Sequence, residues 1–140
     1  MSKKIFLDAN ILVDFIDDKR ELHLLAKTII LNGLHAGDEL FTSCDIMTTL
    51  YYLSAKTDKN RALNEIAKIN SFCKVIEFSN NEIAQTCSFM VEDPKFKDLE
   101  DTIQYVLAKK YGCHVIITND KNFHSPDVEL CTSKSFLEGL

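Results

Sequence analysis

Lys4-Ile5-Phe6-Leu7-Asp8-Ala9-Asn10-Ile11-Leu12-Val13 is the stretch that decides the fold. Three consecutive apolar residues, Ile5 to Leu7, suit a strand covered on both faces. Asp8-Ala9-Asn10 then supplies the turn or capping residues that start a helix through Ile11, Leu12, Phe15 and Ile16. A strand running directly into a helix is half of a βαβ unit. In open α/β sheets ligands bind outside the carboxyl ends of the strands, so Asp8 has two readings: a helix cap, and a residue aimed at a site.

Further along the chain the same alternation repeats. The pattern predicts strands near residues 4–7, 39–42, 74–78, 114–118 and 128–131. Between them, Leu22 to about Leu34 has helical spacing, closed by His35-Ala36-Gly37-Asp38. Ser43 or Asp45 is placed to cap a helix with Ile46, Thr49, Leu50 and Leu53 on one face, and Asp58 another with Ala62, Ile66 and Ile69. Ser79-Asn80-Asn81-Glu82 has capping-box spacing, and the helix after it sets Ile83, Cys87 and Met90 on one face before Asp93-Pro94. Leu99, Ile103, Val106 and Leu107 form an apolar stripe that Gly112 stops, and Ser133 is placed to cap a last short helix. Strands alternating with helices imply an α/β protein with three layers, α/β/α, around a five-stranded parallel sheet.

With 140 residues, 46% of them hydrophobic, the chain is expected to be one compact domain over residues 1–140. No apolar run approaches the roughly 18 residues that cross a bilayer, and Lys3-Lys4 is not followed by a signal-peptide h-region, so no membrane partner and a cytoplasmic location are expected. The five cysteines are odd in number and form no C-x-x-C pair, which argues against a disulfide framework and a zinc site and for reduced core thiols. His23, His35, His114 and His124 lack metal-ligand spacing. The net charge of −5 weighs against sequence-independent binding to duplex DNA. It does not exclude nucleic acid, because bound divalent cations reverse the potential of an acidic pocket.

The carboxylates are more informative. The strand near residues 114–118 leads to Asp120 as the first strand leads to Asp8, and adjacent central strands would bring those ends together. Asp98 and Asp101 are about 60° apart around a helix, with Glu100 expected to face away. A first-turn role at the positive helix N-terminus is the alternative reading of Asp98 and, less so, of Asp101. If instead Asp8, Asp120 and the Asp98 helix converge, their mutual repulsion calls for a cation. Oxygen ligands without histidine or thiolate suit Mg²⁺ or Mn²⁺, and the implied chemistry is phosphodiester hydrolysis by metal-activated water.

Ile5-Phe6-Leu7-Asp8-Ala9-Asn10-Ile11-Leu12, Asp98-Leu99-Glu100-Asp101-Thr102-Ile103-Gln104 and Val115-Ile116-Ile117-Thr118-Asn119-Asp120-Lys121-Asn122-Phe123 together resemble a PIN domain. The resemblance spans nearly the whole chain. It implies a metal-dependent endoribonuclease cleaving single-stranded or structured RNA, of the VapC-like toxin kind that a small antitoxin neutralises. It also implies metal ligation and catalysis by Asp8, Asp101 and Asp120, with Asp98 as a further ligand. Asn10, Ser43, Thr49 and Thr118 are the supporting positions, Asn10 bracing the first carboxylate. The family's glutamate six residues beyond the serine is here Thr49, which leaves either a weak second metal or substitution by Asp45, Asp14 or Asp98. The resemblance and the apolar run from Ile46 to Leu53 suggest a homodimer.

Other readings stay open. A phosphoacceptor aspartate fits poorly, since Asn10 occupies the second acid position of D-x-D. A catalytically weakened RNA- or protein-binding module follows from Thr49. Tyr51-Tyr52 offers one ring to the core and one for base stacking, and Lys56, Lys59 and Arg61 form a solvated face or a phosphate contact.

Overall fold

The computed structural model describes residues 2–140. Five strands, β1 (Lys4–Leu7), β2 (Glu39–Ser43), β3 (Cys73–Ile76), β4 (Val115–Ile117) and β5 (Glu129–Cys131), form one sheet. All pairings are parallel, in the order β3-β2-β1-β4-β5. The helices are α1 (Ala9–Ile16), α2 (His23–Ala36), α3 (Cys44–Ser54), α4 (Lys59–Phe72), α5 (Asn80–Glu92), α6 (Leu99–Lys110) and α7 (Ser133–Glu138).

The two-residue period of a strand separates two cores. Ile5, Leu7, Leu40, Val115 and Ile117 pack beneath α1 to α4 and α7, whereas Phe6, Phe41 and Ile116 pack beneath α5 and α6. Ile5, Phe6 and Leu7 are all fully buried, which accounts for the unbroken apolar run. Burial of each such side chain stabilises by about 1.5–3 kcal/mol. From β1 the chain builds outward to β2 and β3, then returns to add β4 and β5 on the opposite side. The order therefore reverses at β1, and the crevice beyond the carboxyl ends of β1 and β4 is the topological switch point, where open α/β sheets hold ligands. Leu7 pairs with Ile117, so Asp8 and Thr118 leave the sheet side by side.

Several local expectations are corrected. On α5 the buried side is Glu82 and Thr86, with Phe89 packed on the core, while Ile83 is 43% exposed and Cys87 is also exposed. The capping box decides this: Glu82 turns back to accept the Ser79 N–H at 2.8 Å and meets Lys110 of α6 at 3.3 Å. Thr86 satisfies its hydroxyl on the Glu82 carbonyl. Leu99 is outside the α6 stripe, whereas every residue from Thr102 to Ala108 is buried. Thr132, not Ser133, caps α7, accepting the Ser135 N–H at 3.1 Å. In α3, Ile46 and Leu50 belong to the core and Tyr51 is half-buried, leaving Tyr52 and Leu53 exposed. All five cysteines are free; burial pushes the Cys73 and Cys113 thiols up to about 12, Cys44 and Cys131 are half-buried, and Cys87 is exposed. No helix among the described residues is long and apolar enough to cross a membrane.

Gly37 ends α2 with φ +79°, its N–H donating to the Gly33 and Leu34 carbonyls. A Cβ there would meet nothing within 4 Å, so only the backbone resists a side chain. Gly37→Ala is accordingly expected to destabilise by about 1 kcal/mol, lowering the thermal midpoint by a few degrees. Calorimetry checks this; an unchanged midpoint contradicts it.

Candidate functional site

Asp8 sits at the end of β1 and at the N-cap of α1, so the cap geometry and the switch-point position coincide in one residue. Its Oδ1 accepts the Ala9 N–H at 2.6 Å, and its Oδ2 accepts from Asn10 Nδ2 at 2.9 Å and Thr118 Oγ1 at 2.7 Å. Asn10 reaches across to the loop after β4, where its Oδ1 accepts the Asn119 N–H at 3.2 Å. The Asp120 N–H donates back to Thr118 Oγ1 at 3.1 Å. One network thus joins the carboxyl ends of the two central strands. Burial raises the Asp8 carboxyl above its ordinary range, the bonds from Thr118 and Ala9 and the nearby Gln104 amide oppose that rise, and the Asp120 charge adds to it.

Asp101 lies in the first turn of α6. Its carboxyl is raised to about 8, first by burial, then by the charges of Asp8, Asp98 and Asp120 and by a hydrogen bond with Asp120. The structure therefore gathers Asp8, Asp101 and Asp120, with Asp98 beside them. Asp98 itself is exposed and acts as the α6 N-cap, its Oδ2 accepting the Asp101 N–H at 2.9 Å.

Glu100 does not face away. It is half-buried, and its carboxyl is raised by burial and by the charges of Asp45, Asp8 and Asp98. The reason is local: Asp98 has φ −123° and ψ 131°, outside the helix, so a 100° step counted from it does not give the direction of Glu100.

At the end of β2, Thr42 donates to the Leu7 carbonyl at 3.1 Å. Ser43 occupies the N-cap position of α3 but makes no capping bond; its hydroxyl donates to Asp45 Oδ1 at 2.5 Å. Thr49 is half-buried and its hydroxyl is turned to its own helix, donating to the Asp45 carbonyl at 3.4 Å. Of the three acids considered as substitutes at this position, Asp14 is committed to Arg20, 2.6 Å away. Asp45 and Asp98 both act on Glu100.

Three contributing residues were not placed at the site from sequence. Asn119 forms a two-point latch with fully buried Ser133, donating from Nδ2 to its Oγ at 3.0 Å and accepting its N–H on Oδ1 at 3.0 Å. That latch ties the loop bearing Asp120 to α7. Gln104 is fully buried one turn beyond Asp101. An Asn between two motif positions is a visible signal, but its partner lies 14 residues away and only the folded chain identifies it.

Among the described residues, no three His, Cys, Asp or Glu side chains close around a point as a ready-made metal cage. A donor set of repelling carboxylates without thiolate or imidazole suits a hard cation that keeps several of its own waters. Beyond the pocket, Tyr52 is 71% exposed, and Lys56 in the turn after α3 and Lys59 and Arg61 on α4 are exposed, with Arg61 Nη2 3.8 Å from Asp18 Oδ2.

Comparisons with known proteins give the family and the fold. The family model described as PIN domain matches residues 5–129. The chain is 43% identical to Ribonuclease VapC1 of Aquifex aeolicus over 98% of its own length and 95% of that protein. It resembles the solved DNA-bound VapBC from Salmonella typhimurium, with TM-score 0.72 and 19% identity, covering 95% of this chain and 99% of that one. It also resembles Mycobacterium tuberculosis VapC20, a Sarcin-Ricin loop cleaving toxin, with TM-score 0.68 and 19% identity over 85% and 92% of the two chains.

Asp8, Glu100 and Asp101 all hold protons more tightly folded than unfolded. Unfolding at intermediate pH therefore releases protons, and stability falls as pH rises. The loss begins above the ordinary carboxyl range near pH 4 and is complete only above the Asp101 value of about 8. Without divalent cations, urea unfolding is expected to show lower stability at pH 8 than at pH 5, with a flatter dependence in Asp101→Asn. Equal slopes in the two proteins would refute the assignment.

Proposed function

Because the chain belongs to the PIN domain family, we propose that it is an endoribonuclease that uses Mg²⁺ or Mn²⁺ to hydrolyse phosphodiester bonds in single-stranded or structured RNA. Asp8, Asp101 and Asp120 hold the cation, with Asp98 at the edge of the pocket. The observation that carries this reading is Asp101, whose carboxyl is driven up by burial and by three neighbouring acids at the sheet's switch point. Such a cluster costs stability in the metal-free protein and is relieved by a bound cation.

When bound, the cation supplies a water activated for attack and charge stabilisation at the leaving oxygen. The protein's own residues set the frame. Thr118 and Asn10 keep one lobe of the Asp8 carboxylate fixed and favour its charged form. The Asn119–Ser133 latch and the Asp120 N–H to Thr118 bond hold the loop bearing Asp120. Asp45 and Glu100 supply acidic charge near the place where Thr49 brings none. Tyr52 offers an exposed ring for an unpaired base.

The 43% identity to a protein named Ribonuclease VapC1 supports RNA as substrate. Solved structures described as VapBC or toxin-antitoxin complexes support an antitoxin as partner; a cytoplasmic location belongs to this reading. Thr49 favours one second reading, a binding module with weakened catalysis.

Cleavage of single-stranded RNA should require Mg²⁺ or Mn²⁺, stop on chelation, and fall to background in Asp8→Asn. The same variant should keep or gain stability without metal, since Asn preserves shape while removing one repelling charge. Thr49→Glu should tighten Mn²⁺ binding and raise cleavage. A wild-type protein that binds these ions but cuts no RNA, together with a silent Thr49→Glu, would favour the binding module.

A further inference from the structure

Gln104 is fully buried in α6, and neither its Nε2 nor its Oε1 has a hydrogen-bond partner; it is the one side chain among the described residues left in this state. Buried polar groups are almost always paired, because an unpaired one carries its desolvation cost without return. A methionine of similar length would fill the space without that cost. The position is also particular. Gln104 follows Asp101 by three residues, on the same side of α6, and its amide lies close enough to Asp8 to favour the charged carboxylate.

The Asp8 donors leave room for it. Oδ2 accepts from both Asn10 and Thr118, whereas Oδ1 accepts only from Ala9. A carboxylate has about four lone-pair sites. A neutral amide is the group chemistry requires here: it donates to a carboxylate without adding positive charge that would repel a cation, or negative charge that would add to the crowding of Asp8, Asp101 and Asp120.

We propose that Gln104 is a positioning residue for the acidic pocket, its Nε2 held in reserve to donate to Asp8 as the carboxylates draw around a divalent cation. This rests on the metal-dependent reading above. The amide is a local cost in the metal-free molecule and becomes paired in the metal-bound one, so it couples the metal-free and metal-bound arrangements of Asp8 to the interior of α6. Residues that orient metal ligands from behind commonly change affinity by 10–100-fold when replaced.

The experiment measures Mn²⁺ binding by wild type and Gln104→Met, together with thermal stability in the absence of metal. Gln104→Met should hold or gain stability and bind Mn²⁺ at least about tenfold more weakly. A purely packing role predicts the opposite pair, lower stability with unchanged affinity, and that result overturns the proposal. In the wild-type protein, the Gln104 side-chain amide signal in ¹⁵N spectra should move downfield as Mg²⁺ is added, which tests the same bond even if the variant fails to fold. An amide signal that stays fixed at saturating Mg²⁺ overturns it. Wild-type protein that binds neither ion would instead refute the metal-dependent reading itself.

Discussion

The hydroxyl of Thr118 donating to Asp8 across the carboxyl ends of β4 and β1 is the contact on which the rest of the pocket depends. It exists because the sheet reverses its order at β1, which makes these two ends neighbours although 110 residues separate them. Parallel strands at such a reversal diverge to opposite flanking helices and leave a crevice between them. Here the crevice is floored by one hydroxyl and one amide, Thr118 and Asn10, that together address a single carboxylate. From that anchor the loop after β4 is placed, then Asp120, then the latch to Ser133 on α7.

Around the anchor, two electrostatic effects oppose each other. Burial disfavours charge on Asp8, while three bonds to its oxygens favour it. Asp101 lacks comparable support, so burial and its neighbours prevail and its carboxyl rises far above the usual range. The fold's main cores compensate for this local strain: apolar clusters lie on both faces of the sheet, with Ile5 to Leu7 buried between them. A rigid scaffold carrying a destabilised cluster is the usual arrangement of a working site.

Much of this was legible in the sequence. Three apolar residues in a row required a strand covered on both sides, and its direct continuation into a helix required a parallel sheet. The strand ending at Leu7 followed from the same pattern, while the limits of β2, β3, β4 and β5 are shifted by one or two residues. The helical faces were less legible. Ile83 and Cys87 have apolar spacing but lie exposed, because the capping contact of Glu82 with Ser79 and its ion pair with Lys110 set the rotation of α5; Leu99, the first residue of α6, lies outside that helix's buried stripe. Glu100 was misdirected by a helical step counted from a residue that lies outside the helix.

The sequence by itself determined the alternation of elements, the parallel three-layer architecture and the acids at the strand ends, because these depend on periodicity and on signals within a few residues. Only the tertiary structure decided that Thr118 and Asn10 share one carboxylate, that Asn119 latches Ser133, that Glu100 turns inward beside Asp45, and that Gln104 is sealed without a partner behind Asp8. These facts depend on which distant backbone ends become adjacent and how each helix rotates on the sheet. Local spacing carries neither, since both are set by packing across the whole chain.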